Sequence, residues 1–446
     1  MASKKNVKLD ALKAFFDEGT FCELYADKSG NVTAGFGSAE GNPVYALAQK
    51  GEALKSSDIA KMIRVMELAA KTGNPVVTFY DATGSVLTEE LTALTDAARL
   101  VEAGAKISGV VPQIAVVLGT CGATQALAAA GADLAVMAAD AELFLTAPFT
   151  AAAAGDKTEK AGSAELAAKD GVVALVAKDG AEAVAKAKQL VGLLPGNNLA
   201  GPAVFSFAEP GAALSMAKYN ALAAVEAIVD AGSAVELYAE FGKNVRTLFA
   251  TVAGSVVGVV ATEGEKTSIC SVCAGKAARF VRLCDAFSVP VITVVNTDGF
   301  VKSTADDIAG GIRAAARLAA TYADATTAKI CVVTGRAVGA AYTALCNADL
   351  TIALDTAVIA PVEPTAAATI LWQSEIAAAA SIPAETAALA AKYEKEFACA
   401  DAAVRCGAAD MTATADAVRS AVVGAVDILA TKRVQRLPKK HGNMSL

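Results

Sequence analysis

The sequence predicts an α/β protein made of two copies of one domain. Three blocks of sequence recur in the same order, 213 to 216 residues further along a chain of 446 residues. In each copy, short β-rich runs alternate with segments of helical periodicity, and a cluster of turn residues separates the copies. Strands that alternate with helices form sheets of mostly parallel strands, so we expect one such sheet in each copy.

The recurrence is clearest at the strands and the turns beside them. The matched blocks are Glu23–Asp27 with Glu236–Glu240, Asn74–Asp81 with Val289–Asn296, and Gln113–Gly119 with Lys329–Gly335. The offset between matched blocks is 213 residues, then 215, then 216. A constant order with a slowly drifting offset indicates a duplicated domain.

A helix and a buried strand begin the pattern in the first copy. Ile59, Ile63 and Met66 fall on one face of a helix that is expected to end at Gly73. Residues 75–80 follow as a short β-rich run, which is typical of a strand covered on both faces. A second helical segment comes after this strand.

The remaining elements of the first copy continue the alternation. Residues 111–118 predict another strand, and a glycine-containing turn connects it to an alanine-rich helix at about residues 123–130. Residues 171–177 and 181–191 predict the strand and helix that complete this copy.

A turn cluster at residues 193–201 marks the domain boundary. Pro195 and Gly201 lie in this cluster and break any helix. We therefore expect an N-terminal domain of residues 1–200 and a C-terminal domain of residues 201–446.

Composition excludes several functional classes. The net charge of −7 lacks the basic footprint that phosphate backbones require, so we expect no nucleic-acid partner. Hydrophobic residues make up 54% of the chain, but much of this fraction is alanine, and no stretch reaches about 18 strongly apolar residues. The N-terminus shows no apolar leader segment, and nine scattered cysteines fit a reducing compartment. These features predict a cytoplasmic protein.

The single histidine restricts the available chemistry. It is His441, which lies near the C-terminus and is expected to be a solvated tail residue. A Ser-His-Asp triad, a Cys-His pair or a multi-histidine zinc site would all need this residue. Catalysis is therefore expected to proceed without imidazole.

Glycine-bearing turns after strands are the best candidates for a functional site. In the second copy, Gly339 and Ala340 lie where a strand passes into a helix, and their first-copy counterparts are Ala123 and Thr124. N–H groups in the first turn of a helix have no partner inside the helix, so they can bind an oxyanion. Close packing of strand against helix explains the glycine equally well, so the spacing alone leaves both interpretations open.

A further turn follows the preceding strand in each copy. It contains Gly84 and Ser85 in the first copy, and Gly299 and Phe300 in the second. Two turns that meet at the ends of neighbouring strands would supply two N–H donors to one oxygen. This arrangement suits the enolate of a thioester.

Other motifs are weaker candidates. Cys270 and Cys273 have the spacing of a redox or metal-binding motif, but no second CxxC motif and no histidine accompany them. Packing or incidental thiols are therefore favoured, and no metal site is predicted. The adjacent carboxylates at residues 306–307 and 89–90 fit solvated helix starts better than an acid and base pair. No phosphate-binding glycine motif follows a strand.

Six segments resemble the signatures of one enzyme family, in the order in which that family has them. They are Phe16–Leu24, Ser108–Ile114, Lys276–Phe287, Gly310–Arg313, Tyr322–Thr326 and Leu437–Asn443. Together they span nearly the whole chain. The sequence resembles the biotin-dependent acyl-CoA carboxyltransferases. These include the β subunits of propionyl-CoA carboxylases and the carboxyltransferase subunits of methylmalonyl-CoA and glutaconyl-CoA decarboxylases.

The resemblance implies two tandem crotonase-like ββα spiral domains. It also implies that the N-terminal domain binds the acyl-CoA, and that the C-terminal domain of a neighbouring subunit binds biotin. The active site of the family lies at that dimer interface. Catalysis there relies on backbone oxyanion holes, one for the thioester and one for the urea oxygen of biotin, which agrees with a chain that has one histidine.

By position, the resemblance places the two oxyanion holes at the four turns described above. The thioester side comprises Gly84, Ser85, Ala123 and Thr124, and the biotin side comprises Gly299, Phe300, Gly339 and Ala340. The family usually has a Gly-Gly pair where this chain has Ala123 and Thr124, and Ser-Gly-Gly-Ala-Arg where it has Ala82–Val86. Thr124 is expected to narrow the acyl-CoA pocket or to change the acyl preference.

The leading hypothesis is a carboxyltransferase subunit that moves CO2 between biotin and an acyl-CoA, of the methylmalonyl-CoA decarboxylase or propionyl-CoA carboxylase type. The chain has no Met-Lys-Met biotinylation motif, so a separate biotin carrier protein is expected. We also expect a homodimer or higher oligomer. Membrane subunits of a decarboxylase pump are further partners that would bring this cytoplasmic subunit to a membrane.

Two other hypotheses compete with this one. The first is a non-catalytic structural subunit whose acyl-CoA site has decayed, because two of the turns are altered. The second is a CoA hydratase or isomerase, which fits the fold but lacks a convincing pair of glutamates and does not explain the tandem copies.

Overall fold

Two seven-stranded sheets with the same strand order organise this computed structural model, which describes residues 11–89, 91–435, 437–440 and 442–443. Each sheet belongs to one of two structural units. The first unit ends at Ala203 and also includes Tyr238–Phe241, and the second contains the other described residues from Val204 onwards. No feature of the sequence indicated that Tyr238–Phe241 joins the first unit.

The first unit repeats strand and helix along the chain. Its elements are α1 (residues 11–15), β1 (Cys22–Leu24), β2 (Val32–Ala39), β3 (Asn42–Gln49), α2 (Ser56–Thr72), β4 (Val76–Tyr80), α3 (Thr92–Ile107), β5 (Gln113–Val117), β6 (Thr120–Gly122), α4 (Thr124–Gly131), β7 (Leu134–Ala138), β8 (Glu142–Phe144), α5 (Pro148–Ala153), α6 (Ala164–Lys169), β9 (Leu175–Ala177) and α7 (Gly180–Leu193). The strand order is β1-β2-β3-β4-β5-β7-β9. Strands β1 to β3 pair antiparallel, and the pairs from β3 to β9 are parallel. Strands β6 and β8 form a separate parallel pair.

The second unit has the same plan. Its elements are α8 (Ala221–Glu226), β10 (Val235–Leu237), β11 (Val245–Val252), β12 (Ser255–Thr262), α9 (Ser271–Ala286), β13 (Val291–Val295), α10 (Thr304–Asp306), α11 (Ile312–Asp324), β14 (Lys329–Val333), β15 (Arg336–Val338), α12 (Ala340–Leu345), β16 (Leu350–Leu354), β17 (Val358–Ala360), α13 (Pro364–Leu371), α14 (Gln373–Ala378), α15 (Ile382–Phe397), α16 (Ala400–Cys406), β18 (Met411–Ala413) and α17 (Val418–Leu429). The strand order is β10-β11-β12-β13-β14-β16-β18, with β15 and β17 as a separate parallel pair. The predicted duplication is therefore confirmed strand by strand.

Helix α2 shows why the predicted pattern folds in this way. Met62, Val65 and Ala69 are fully buried on one face. The helix ends where Gly73 adopts φ 68° and ψ 40°. Glycine reaches this left-handed conformation without the steric cost that a Cβ atom adds. The predicted helix end at Gly73 is confirmed.

Strands β4, β5 and β7 form the centre of the first sheet. Every residue in these three strands is buried. Parallel strands are covered by helices on both faces, which explains why their sequences are continuously apolar rather than alternating. Because the strands are parallel, their carboxyl ends lie along one edge of the sheet, where the turns of the candidate site begin.

None of the helices within the described ranges has both the length and the apolar character that a membrane crossing demands.

Candidate active site

The candidate site in each unit comprises two turns at the carboxyl edge of the sheet. In the first unit they follow β4 and precede α4, and in the second they follow β13 and precede α12. Gly84 has a φ of 124° and Gly299 a φ of 99°. A Cβ atom on either glycine would meet no heavy atom within 4 Å, so backbone conformation rather than packing requires glycine here.

Ala123 adopts the backbone conformation of its glycine counterpart. Its φ and ψ are 50° and −119°, compared with 56° and −127° at Gly339. Each residue is the N-cap of the helix that follows. A side chain at such dihedral angles is strained, typically by about 1–3 kcal/mol. The alanine therefore leaves the path of the main chain unchanged, and the strain persists in this turn.

The N-cap residue has its own N–H group engaged in both units. The N–H group of Ala123 donates to the Phe144 carbonyl at 2.9 Å, and that of Gly339 donates to the Ala360 carbonyl at 2.9 Å. These N–H groups are not available to a ligand while the bonds exist. The donor in each pair is therefore the next residue, because the first N–H group of a helix lies outside its internal hydrogen bonds.

A parallel bridge orients the donor of the other turn. Leu54 bridges Ser85 in the first unit, and Ile269 bridges Phe300 in the second. In both bridges the hydrogen bonds involve the residues on either side of Ser85 or Phe300. The middle residue of a parallel bridge directs its own N–H group away from its partner. The N–H groups of Ser85 and Phe300 therefore face away from the bridging segment.

Four N–H groups thus become the best candidate donors, two in each unit. They belong to Ser85 and Thr124 in the first unit and to Phe300 and Ala340 in the second. Within the described part of the chain, none of the four donates a hydrogen bond to the protein. Paired N–H donors from two turns are what an oxyanion hole requires.

A polar side chain ties the two turns together in each unit. The Oδ1 atom of Asp81 accepts a hydrogen bond from the Thr120 N–H group at 3.1 Å. The Oδ1 atom of Asn296 accepts one from the Arg336 N–H group at 3.0 Å. These bonds connect the end of β4 to the start of β6, and the end of β13 to the start of β15. We call each side chain with its partner a turn latch.

Each turn latch is packed against a glycine. A Cβ atom at Gly119 would lie 2.3 Å from the Asp81 carboxyl group, and one at Gly335 would lie 2.3 Å from the Asn296 side chain. Both distances are far below van der Waals contact, so a larger residue would displace the latch. Asp81 and Asn296 end a matched block of the repeat, which marks their position in the sequence but does not reveal their role.

A cavity of about 330 Å³ lies in the first unit between the sheet and helices α3 and α4. Its lining includes Thr78 and Tyr80 of β4, Gly104 of α3 and Leu127 of α4. Leu127 comes one helical turn after Thr124. The α4 residues in the lining begin at Leu127, and the lining does not include Ser85 or Thr124.

Tyr322 fills the matching space in the second unit. The Nε2 atom of Gln113 donates to the Gly104 carbonyl, and the Nζ atom of Lys329 donates to the Tyr322 carbonyl. Gly104 and Tyr322 both lie near the end of their helix, but the helix ends align Gly104 with Thr321, because the C-cap N–H groups donate to these two carbonyls. The Tyr322 side chain is 1% exposed, and its hydroxyl oxygen lies 2.8 Å from the hydroxyl oxygen of Thr293 on β13. Thr293 is the matched-block counterpart of Thr78, which lines the cavity, so Tyr322 occupies space that stays open in the first unit.

Ion pairs restrain the turns of the second unit. Arg336 contacts Glu363 at 2.7 Å and Glu394 at 3.2 Å, and Lys302 contacts Asp298 at 2.9 Å. Partly exposed pairs of this kind contribute about 0–1 kcal/mol each, so their main effect is on orientation. Asp298 and Arg336 belong to the two different turns, and the network therefore holds both.

Cys270 and Cys273, whose spacing alone favoured packing or incidental thiols, are close in space. Their Sγ atoms lie 2.7 Å apart. No cluster of three or more histidine, cysteine, aspartate or glutamate side chains suited to a metal ion occurs among the described residues.

The paired carboxylates have different surroundings. Asp306 and Asp307 lie at a helix start, where Asp307 is exposed. Glu89 instead accepts a hydrogen bond from the Ser56 N–H group at 2.7 Å, so it caps the start of α2 rather than projecting into solvent. Glu90 and His441 lie outside the described residues.

Comparisons with known proteins find relatives over the whole length of the chain. The family model of the carboxyl transferase domain matches residues 10–444. The methylmalonyl-CoA decarboxylase subunit alpha of Propionigenium modestum is 31% identical, over 100% of this chain and 94% of that protein. The propionyl-CoA carboxylase beta chain of Saccharopolyspora erythraea is also 31% identical, over 100% of this chain and 91% of that protein.

A solved structure has the same fold. The crystal structure of transcarboxylase 12S, a hexamer assembly with hydrolysed methylmalonyl-coenzyme A bound, matches with a TM-score of 0.92 and 30% identity. The match covers 98% of this chain and 92% of that chain. The methylmalonyl-CoA carboxyltransferase 12S subunit of Propionibacterium freudenreichii subsp. shermanii is 32% identical, over 92% of this chain and 83% of that protein.

Proposed function

Because this chain belongs to the carboxyl transferase domain family, we propose that it is a carboxyltransferase subunit that moves CO2 between biotin and an acyl-CoA. The resemblance and the α/β fold of two tandem domains that the sequence implies are confirmed. The relatives act in methylmalonyl-CoA decarboxylase, propionyl-CoA carboxylase and transcarboxylase, so the substrate is a CoA thioester of this type.

One observation favours a catalytic subunit over a structural one. Ala123 stands where the family usually has glycine, yet its dihedral angles lie within 8° of those of Gly339, at 50° and −119° against 56° and −127°. A site that had lost its function would have no reason to retain a strained turn. The backbone needed for an oxyanion donor is therefore present in both units.

We assign the acyl-CoA to the first unit. The N–H groups of Ser85 and Thr124 would hold the thioester oxygen and stabilise the negative charge that develops on it. The open cavity beside α4 supports this assignment, because the second unit has Tyr322 in the matching space. We assign the acyl group to this cavity.

We assign biotin to the second unit. Biotin on its carrier protein supplies the ring nitrogen that accepts and releases CO2. The N–H groups of Phe300 and Ala340 fit its urea oxygen, because both donors lack protein partners within the described chain. The ion pairs around Arg336 hold the two turns that carry these donors.

We propose further that the subunit forms a homo-oligomer whose interface includes the turns. Exposed apolar side chains lie near the turns of the first unit. Leu87, shortly after Ser85, is 88% exposed, and Leu145 and Phe149, which follow β8, are 67% and 79% exposed. The end of β8 is beside the Ala123 turn, because the Phe144 carbonyl accepts a hydrogen bond from the Ala123 N–H group. In the second unit, Ile308 after the Gly299–Phe300 turn is 81% exposed, and Ile370 in α13 is 71% exposed. Such clusters mark interaction surfaces, and the similar transcarboxylase 12S is a hexamer.

The remaining partners follow from the relatives. A biotin carrier protein is needed to bring the cofactor to the second unit. A decarboxylase of the Propionigenium modestum type would add further subunits, and we propose those as partners through which this chain reaches a membrane.

A direct assay tests the proposed activity. The purified protein is incubated with free biotin and, in turn, with malonyl-, methylmalonyl- and glutaconyl-CoA, while loss of the carboxyl group is followed. We expect turnover of at least one of the three. No turnover of any, together with no CoA binding by calorimetry, would support the structural subunit instead.

A proline variant tests the biotin-side donor itself. Ala340→Pro deletes the N–H group at the first helical position, where proline is well tolerated. We expect it to lower turnover at least about a hundredfold, the usual cost of losing one oxyanion donor. Ala340→Ser keeps the N–H group and is the matched control. Equal activity of the two variants would remove Ala340 from the site.

A further inference from the structure

Cys270 and Cys273 occupy the start of a long helix. Cys270 is the N-cap of α9, a helix of 16 residues, and its Sγ atom accepts a hydrogen bond from the Cys273 N–H group at 3.3 Å. The two Sγ atoms are 2.7 Å apart. The N-terminus of a helix carries partial positive charge, which favours a thiolate at the N-cap.

The surroundings make the two thiols unequal. The pKa of Cys270 is lowered to about 6, first by the hydrogen bond from the Cys273 thiol and then by backbone N–H groups, against the effect of burial. The same hydrogen bond and burial raise the pKa of Cys273. Buried Lys276 lies one helical turn further on and interacts electrostatically with both cysteines. Cys270 is therefore the nucleophilic thiolate of the pair, and Cys273 remains protonated.

Cys121 and Cys284 differ from Cys270 in being buried. Burial raises the pKa of Cys121 to about 12, and Cys284 is fully buried with a raised pKa. Cys270 is half-buried, so a small reagent can reach it. A low-pKa thiol beside a second thiol is the arrangement of redox-active dithiols.

The pair is joined directly to a turn of the candidate site. Ile269, the residue before Cys270, donates its N–H group to the Gly299 carbonyl at 2.8 Å and accepts from the Val301 N–H group at 3.1 Å. In the first unit, Lys55 holds the place of Cys270 after the equivalent bridge, and its N–H group bonds to the Asp58 carboxylate at 3.0 Å. The second unit therefore has two thiols where the first has an ordinary helix cap.

We propose that Cys270 and Cys273 form a redox-active dithiol that exchanges with low-molecular-weight disulfides, and that its oxidation disturbs the Gly299–Phe300 turn. The second part rests on the proposed function of that turn. A disulfide between the N-cap and the first helical turn would change the position of Ile269, and through its two hydrogen bonds the position of the turn.

The exchange proceeds in two balanced steps. The Cys270 thiolate attacks one sulfur of the small disulfide, which forms a mixed disulfide and expels one thiolate. Cys273 then loses its proton and attacks the Cys270 sulfur, which expels the second thiolate. Two protein thiols are oxidised to one disulfide, and the reagent is reduced to two thiols.

Equilibration of the full-length protein with mixtures of oxidised and reduced glutathione tests the dithiol. Free thiols are blocked, and the peptide that contains both cysteines is identified by mass spectrometry. We expect an internal disulfide in the wild type, a stable glutathione adduct on Cys270 in Cys273→Ser, and neither product in Cys270→Ser. Cys399→Ser, which removes another half-buried thiol, should behave as the wild type. Both thiols remaining free in the most oxidising mixture would overturn the proposal.

Two readouts test the link to the turn. Amide exchange at Val301 should become at least about tenfold faster on oxidation, because its hydrogen bond to Ile269 is weakened. Transfer activity should fall on oxidation and return with a dithiol reductant, and the Cys270→Ser/Cys273→Ser double variant should not respond. Unchanged exchange at Val301 in oxidised protein would overturn the link. If the reduced protein has no transfer activity, the proposed function fails, and the thiol and exchange measurements still decide the redox proposal.

Discussion

At the scale of single residues, the conformation of one N-cap decides how the altered family signature should be interpreted. Compared with the family signature, Ala123 in place of glycine suggests a lost site. In the structure its backbone matches that of Gly339, at φ 50° against φ 56°. Because the ligand-binding group is the N–H group of the next residue, a methyl side chain leaves it in place. The cost of the alanine is conformational strain rather than a missing donor.

Substitutions at this N-cap position should therefore have graded effects. Gly339→Val is expected to lower transfer at least about a hundredfold while the oligomer stays intact, because a β-branched residue is strained at this φ and crowds the donors. Gly339→Ala is the matched control, since alanine is accommodated at Ala123, and it should retain most activity. The measurement is turnover together with light scattering. Full activity of Gly339→Val would remove this turn from the site.

The reverse substitution tests the strain itself. Ala123→Gly should raise the free energy of unfolding by about 1 kcal/mol, because glycine has no Cβ penalty at positive φ. Chemical denaturation measures this value. A loss of stability would mean that the turn is not strained in the folded protein.

The reactivity of Cys270 should depend on pH in a defined direction. Its pKa is lowered to about 6, so the thiolate is present above that pH and is lost as the pH falls through it. Alkylation by iodoacetamide should rise between about pH 5 and pH 7 and then level off. Lys276, which also interacts electrostatically with Glu236 and Arg246, is a positive charge near the thiolate. Lys276→Met removes this charge, so the increase in alkylation rate should occur at higher pH. A rise centred near the ordinary thiol pKa in the wild type would contradict the assignment.

At the scale of elements, the parallel pairing of neighbouring strands places both turns of a unit at the same edge of its sheet. The two turns of each unit come from different strands, and the Asp81 or Asn296 latch connects them. Acceptance of an N–H hydrogen bond needs only an Oδ1 atom, which explains why one unit uses a carboxylate and the other an amide. The latch needs a glycine beside it, because a Cβ atom would occupy the same space.

A larger residue at Gly119 should break the turn-latch hydrogen bond between Asp81 and Thr120. Gly119→Ala places a Cβ atom 2.3 Å from the Asp81 carboxyl group, so we expect lost transfer activity and a destabilised first unit. Gly424→Ala in α17 meets no atom within 4 Å and is the control.

Substitutions of Asp81 test the hydrogen bond itself. Asp81→Asn should retain activity, because Asn296 accepts the equivalent hydrogen bond in the second unit, whereas Asp81→Leu has no acceptor and should lose activity. Activity is the readout, and an active Asp81→Leu would argue against the latch.

The cavity makes a separate prediction about the acyl group. Gly104→Tyr places a large side chain in the cavity lining, and the new Cβ atom would be 3.4 Å from the Gln113 Oε1 atom, which is ordinary contact. We expect a higher KM for the acyl-CoA with a smaller change in kcat, because the filled cavity removes binding surface. Gly104→Ala is the control. An unchanged KM would show that the acyl group lies elsewhere.

At the scale of the whole molecule, two copies of one fold have acquired different details. The first has an open cavity between its sheet and helices α3 and α4, whereas the second has a buried tyrosine in the matching space, a network of ion pairs at its turns and two close thiols at the start of α9. A duplicated domain can divide acyl-CoA and biotin between its copies in this way. The exposed apolar side chains Leu87, Leu145, Phe149 and Ile308 support the proposal that these faces contact other subunits.

Charged substitutions in the first unit should disrupt this assembly. Leu145→Asp with Phe149→Asp is expected to shift the protein towards the monomer, because the charges would have to be buried at the interface. Leu199→Asp changes a side chain that is 91% exposed in the boundary turn and is the control. Size-exclusion chromatography with light scattering measures the oligomer. An unchanged oligomer would place the interface elsewhere.

The antiparallel strands β1 to β3 and the separate pair of β6 and β8 were not predicted from the sequence. The features that the sequence alone predicts are the duplication, the strands and helices of the first copy around β4, β5 and β9, and the positions of the four turns. These features depend on local periodicity and on glycine or proline within a few residues, so they can be predicted without knowing the fold. The end of α2 at Gly73 is one such case. The family signatures added the division into an acyl-CoA side and a biotin side, which the single histidine alone would not have suggested.

Which backbone groups are available to a ligand depends on contacts between distant segments of the chain. Whether the Ala123 N–H group is available depends on Phe144, and the latch on Asp81 depends on Thr120. The contact of Tyr322 with Thr293 likewise appears only in the tertiary structure, because the two residues lie on different elements. Hydrogen-bond partners and cavities arise between segments that are distant in sequence, and no local pattern encodes them.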